Sequence, residues 1–186
     1  MSSLVAITLD SCVDPADRLA AIDFINRVNL LFDAHELDTM VEAFQPDGTI
    51  FHSQAITHGR TEIRRFFQQA HPYSGPGISR IATNPIVDAD GDEGLIVRYH
   101  NLLVRYAAEA PSNMVTGPVQ QTPEDLPAIW VYSAMTDRLR RTERGWRIFE
   151  RYIGATTMND RLRPTGPAVP YANGYPGQAL PRQLVF

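Results

Sequence analysis

Apolar residues in the first third of the chain recur at helical spacing, and those in the second half alternate as strands do. Leu19, Ile22, Ile25 and Phe32 form one helical stripe, and Ala21, Phe24, Val28 and Leu31 form a second. They predict a helix ending at Asp33 that is largely buried, because its apolar surface covers much of the circumference. Asp14 is placed to cap it, Pro15 suits its first turn, and Asp17 favours its positive end. A short second helix follows, with Leu37, Met40, Val41 and Phe44 at helical spacing. Pro46-Asp47-Gly48 reads as a turn into a strand over residues 49–52. The third helix runs from about Gly59 to Ala70 and buries Ile63, Phe66 and Phe67. His71-Pro72 is expected to end it, because the residue before proline avoids helical geometry.

Downstream the period changes to two. Strands are predicted at 78–88, 94–106, 128–141 and 145–155, with turn signals at Asp90-Gly91 and Glu143-Arg144-Gly145. Helices followed by a hairpin-rich sheet give an α+β order. Residues 107–127 are polar and proline-bearing, long enough for either a lid or an exposed insertion. The expected organisation is an N-terminal extension over 1–13, one domain over 14–156 and a proline-rich arm over 157–186. The arm carries Pro164, Pro167, Pro170, Pro176 and Pro181, which disfavour regular structure. Its apolar Val169, Tyr171, Tyr175, Leu180 and Leu184 suggest a docked segment, over its own pocket or against a partner subunit.

Composition narrows the chemistry. A net charge of -4 argues against a nucleic-acid surface. All 17 basic residues are arginine, so lysine Schiff-base chemistry is excluded. The arginines at 138, 140, 141, 144 and 147 read as a solvated hairpin end. The lone Cys12 allows no intramolecular disulfide, and no Cys/His spacing points to zinc. No apolar run reaches the roughly 20 residues that span a bilayer, and residues 1–13 lack the features of a signal peptide. A cytoplasmic setting is the default. No metal or cofactor is expected.

The succession from Phe32-Asp33 through Phe44, Pro46-Asp47-Gly48 and His58-Gly59-Arg60 to Phe67 carries a family resemblance. With Thr83-Asn84, Tyr99-His100 and Gly145-Trp146-Arg147-Ile148, it resembles the SnoaL-like group of the nuclear transport factor two-like superfamily. The likeness covers roughly residues 15–155. It implies a cone-shaped α+β domain, three helices packed on a curved, mostly antiparallel sheet, with a closed apolar pocket. Enzymes of this group include polyketide cyclases, scytalone dehydratase and ketosteroid isomerase. The resemblance therefore implies a small apolar organic ligand, lyase or isomerase chemistry without a cofactor, and a homodimer joined through the sheet and the arm.

Asp33 matches the helix-ending aspartate that assists catalysis in scytalone dehydratase and in a hexachlorocyclohexane dehydrochlorinase of the same group, where a desolvated carboxylate suits proton transfer; otherwise it caps or salt-bridges at a helix end. Arg80 falls where the partner histidine is expected. Arginine stays protonated, so it either holds Asp33 or binds a ligand oxygen. His52 aligns with the ketosteroid isomerase base, and His100 resembles part of a Tyr-His pair in scytalone dehydratase. Either could replace the missing histidine as the catalytic partner. Period two places Arg98, His100, Leu102, Val104 and Tyr106 on one face. Tyr106 could donate to a substrate oxygen, and Phe32, Asn84 and Met135 are expected to line the pocket. Trp130, Tyr132 and Tyr99 are expected to share an aromatic sheet face, and Asp137 to support the fold. A second reading is a non-catalytic binding protein or accessory subunit. Arg138-Leu139-Arg140-Arg141 to Trp146-Arg147 resembles the β subunits of ring-hydroxylating dioxygenases.

Overall fold

The computed structural model describes residues 4, 6–34, 36–52, 55–74, 77–91, 94–106 and 126–163. The 107–125 part of the expected lid and the 164–186 part of the expected arm lie outside the described residues. Three helices, α1 (Pro15–Asp33), α2 (Leu37–Glu42) and α3 (Gly59–Ser74), precede most of the sheet. The strands are β1 (Phe44–His52), β2 (Ala55–His58), β3 (Ile78–Ala89), β4 (Gly94–Arg105), β5 (Ala128–Thr142) and β6 (Gly145–Met158). They form one sheet in the order β2-β1-β6-β5-β4-β3, antiparallel except for the parallel β1–β6 pair. The fold is α+β, as expected.

Asp14 caps α1, its side chain accepting from the Ala16 N–H at 2.8 Å. Asp14→Ala is expected to cost about 1 kcal/mol, read as a lower urea midpoint at unchanged slope. The helix buries a narrower face than its sequence predicts. Ala21, Ile25, Val28 and Asn29 are buried, whereas Leu19 and Leu30 are exposed. One sheet and one neighbouring helix can cover only one side of α1. Phe44, Ile50, Ile63, Phe67, Val97, Leu139 and Ile148 make the centre of the core between helices and sheet.

Two local expectations change. Pro46-Asp47-Gly48 is not a turn: it lies within β1, where the pairing with β6 shifts between Phe44 and Thr49. A bulge accepts proline because the displaced residues leave the hydrogen-bond ladder. α3 continues through His71-Pro72 to Ser74. So close to a helix end, a proline removes one N–H from a turn with little left to stabilise.

Further register shifts occur in β3–β4, β4–β5 and β5–β6. Bulges bend strands and add twist, which curves this sheet around the helices. The concave face carries Leu95, Val97, Tyr99 and Asn101 of β4 toward the helices, and Asn101 accepts from Asn29 Nδ2 of α1 at 3.0 Å. The convex face carries the alternating residues. Phe51 of β1 stacks there on Tyr152 of β6, with centroids 4.6 Å apart.

Candidate functional site

The end of α1 meets the start of β3, and this junction organises the site. Asp33 Oδ2 accepts from Ser79 Oγ at 3.1 Å and from the Arg80 backbone N–H at 2.9 Å. Its other oxygen accepts from Arg80 Nη1 at 2.8 Å. The two side chains are only 8% and 9% exposed, so the ion pair is largely out of water. Charge-assisted bonds in such surroundings are short and strongly oriented. The Arg80 guanidinium also lies over the Phe32 ring, 5.2 Å from its centroid. Tyr106 is half-buried and within electrostatic reach. Burial, then the negative charge of Asp33, raises its pKa, so it remains a hydrogen-bond donor at neutral pH.

From Phe32 an aromatic wall crosses the concave side. Phe32 meets Phe67 edge-on at 4.8 Å, and Phe67 lies 5.8 Å from Phe44 and 5.9 Å from Phe66. Phe66 in turn lies 5.9 Å from His52. His52 shares the concave side with Ile50, two residues earlier on β1. Burial lowers its pKa, so the ring is neutral at neutral pH. Met135 is also on this side, buried in the core. Ser79 was not anticipated; its place beside Arg80 at the strand start is a signal that only the contact makes meaningful.

His52 is separated from Asp33 by the Phe66–Phe67–Phe32 chain of rings, and two further expected site residues face away from the concave side. Arg80 pairs across the strands with Leu103, whereas Thr83 pairs with His100. Three positions along a strand reverse the face, so His100 points to the convex side. There it lies 5.2 Å from the Tyr132 ring. Asn84 sits in the β3 bulge at φ 52, a left-handed conformation that asparagine tolerates, and its side chain is exposed. Tyr106 follows the end of β4, half-buried and near enough to Asp33 to feel its charge. The proposed Trp130–Tyr132–Tyr99 face is likewise not formed. Tyr99 and Trp130 are buried, and Tyr132 lies on the convex side.

A second polar cluster lies wholly inside the core. Arg151 donates to both oxygens of Asp137, at 2.7 and 2.8 Å, and Tyr99 donates to Asp137 at 2.9 Å. Asp137 is fully buried and Arg151 is 4% exposed. Burial pushes the Tyr99 hydroxyl far up; Arg151 opposes this and Asp137 adds to it. Burial also works against the Arg151 charge, but Asp137 and Tyr99 more than offset it. Buried and bonded to one another, these side chains support the sheet, as expected of Asp137. The hairpin arginines are not simply solvated either. Arg138 and Arg140 both donate to Asp90, and Arg138 also reaches Glu150.

Among the described residues, no group of His, Cys, Asp and Glu is arranged to hold a metal ion. No helix there is long and apolar enough to cross a membrane. A family model for the SnoaL-like domain matches residues 14–152. No curated protein sequence matches the chain. Among solved structures, a Novosphingobium aromaticivorans protein provisionally assigned as a scytalone dehydratase shares 15% identity at a TM-score of 0.56, covering 83% of this chain and 92% of that one. ActVI-ORFA of Streptomyces coelicolor shares 16% at 0.56, covering 73% and 95%. A Catenulispora acidiphila protein, solved in complex with S-DNPA, shares 17% at 0.54, covering 73% and 90%. At such identities the likeness is one of fold.

Proposed function

The chain belongs to the SnoaL-like domain family, and from that premise we propose a small-molecule pocket protein of the dehydratase or cyclase type. Its ligand is an apolar cyclic or polyketide-like molecule lying along the aromatic wall. The observation that carries this reading is the saturated Asp33 carboxylate, held by Ser79 and Arg80 beside Phe32 and within reach of Tyr106. A carboxylate so held is a poor free base. The familiar aspartate–histidine pair is replaced by a rigid polar corner, in which Arg80 and Tyr106 polarise a ligand oxygen as negative charge develops on it. His52, neutral and across the aromatic wall, is the remaining base. In a β-hydroxyketone it takes the α-proton while the corner holds the carbonyl oxygen. That proton leaves with the β-hydroxyl as water, and a conjugated enone remains.

Dehydration is followed by the rise in enone absorbance over a panel of cyclic β-hydroxyketones. The rate is expected to fall as pH drops through the His52 pKa, which burial sets below the ordinary value of 6.5. Above that value the profile is flat until tyrosine ionises. His52→Gln abolishes the acid limb together with most of the rate. A limb unchanged in that variant removes His52 from the mechanism.

The same three donors favour a second reading, in which the pocket binds without turnover. Tight ligand binding with no absorbance change across the panel selects it. The active form in either reading is a cytoplasmic homodimer. Exposed Ile81, Ile86, Ile129 and Tyr132 on the convex side support a contact there.

A further inference from the structure

Beyond Arg80 on the concave face, three buried side-chain donors have no acceptor among the described residues. Trp130 is 3% exposed, and its indole N–H has no acceptor. Arg105 gives Nη1 to the Leu162 carbonyl at 2.6 Å, while its buried Nε–H has no acceptor. No carboxylate among the described residues pairs with Arg105. Arg163 adds a third buried Nε–H without a partner, its other end held by the exposed Asp160. Buried polar groups are nearly always satisfied, so several unmet donors of one kind in one place call for an explanation. A guanidinium and an indole N–H offer donors alone. The missing component is an acceptor, and a guanidinium with no carboxylate partner among the described residues favours an anionic one.

The fold relates this place to the site already described. Arg105 pairs with Ile78, and Arg80 pairs with Leu103, two residues back along β4 on the same face. The two levels are therefore about 7 Å apart along the strand, roughly the length of one ring. Ile78, Trp130 and Val131 form a small apolar cluster that continues the concave surface, with Leu103, Met158 and Leu162 packed against it. Trp130 faces this cluster because it is the extra residue of a bulge: Leu103 pairs with Val131, and Val104 pairs with Ile129.

We infer that Arg105 and Trp130 form an anion subsite that takes a carboxylate carried by the pocket's apolar ligand. The substrate class is then a cyclic or aromatic acid, its ring on the wall and its carboxylate beside Arg105 and Trp130. This rests on the pocket reading of the preceding section. Paired probes of one shape, 2-naphthoate and 2-naphthamide, separate charge recognition from ring binding by titration calorimetry. Wild-type protein is expected to favour the acid by about tenfold, the scale of a charge-assisted hydrogen bond. Arg105→Gln and Trp130→Phe each bring the acid-to-amide ratio toward one, and Arg105→Lys restores part of it. Trp130→Phe keeps an aromatic side chain but loses the pyrrole ring together with its N–H, so the part-buried Arg105 gives a second variant should that one fail to fold. A preference that is missing in wild type, or that survives intact in Arg105→Gln, overturns the subsite. Amide binding without acid preference leaves the pocket reading standing and the subsite refuted. If neither probe binds, both fall.

Discussion

Asp137→Ala is expected to destabilise the protein by about 3–5 kcal/mol, the usual cost of stranding a buried charge. For a chain of this size that corresponds to a melting temperature lower by roughly 10 °C. The variant leaves the Arg151 guanidinium at 4% exposure with no carboxylate, and takes away the acceptor of the Tyr99 hydroxyl. Among the described residues the other contacts of Arg151 are the Tyr99 hydroxyl and the Phe44 ring, 5.5 Å from the guanidinium carbon, and neither carries a compensating charge. Replacing both charges, as Asp137→Leu with Arg151→Met, is expected to recover most of the loss, since the pair repays little beyond its own desolvation. Urea unfolding of the single and double variants gives the comparison. A single-variant loss below about 1 kcal/mol would mean that water or backbone rearrangement reaches Arg151.

The second large effect concerns the corner at α1 and β3. Arg80→Met is expected to cost about 3 kcal/mol, because Asp33 keeps only the Ser79 hydroxyl and the backbone N–H of residue 80 as donors. Removing the acid as well, in Asp33→Leu with Arg80→Met, restores stability for the reason given for Asp137. Ligand binding separates the two clusters. The repaired core pair has no surface to present, so binding stays near wild type there. The repaired corner lacks its oxygen-polarising donors, so affinity for a carbonyl ligand stays low despite recovered stability. If both repaired proteins bind alike, Asp33 and Arg80 are a structural pair and the proposed chemistry fails.

Much of this fold is legible in the order of residues along the chain. Helix starts, strand spans and the α+β order follow from period and capping, which are local. The resemblance puts Arg80 where a partner histidine is expected, either holding Asp33 or binding a ligand oxygen, and Arg80 Nη1 donates to Asp33 Oδ1. Failures came where one face had to be chosen over another. His100 and Arg80 lie on partner strands, and only the pairing of Thr83 with His100 and of Arg80 with Leu103 shows that they face opposite ways. The extra residue at Trp130 flips the relation between Ile129 and Val131, so simple alternation put Trp130 beside Tyr132. Bulges are set by long-range pairing and leave no periodic trace. β2 (Ala55–His58) is too short for a period to register at all.

The parallel pairing of β1 with β6 has a consequence for how the chain comes together. Ile50 must find Arg151, roughly a hundred residues later, and such closure carries a large entropic cost that local contacts cannot defray. During synthesis the helices and the β1–β2 hairpin emerge with one sheet edge unmatched, and they wait for the last strand. Folding is therefore expected to complete only once β6 has emerged, with the β1 edge the segment most open to mispairing until then.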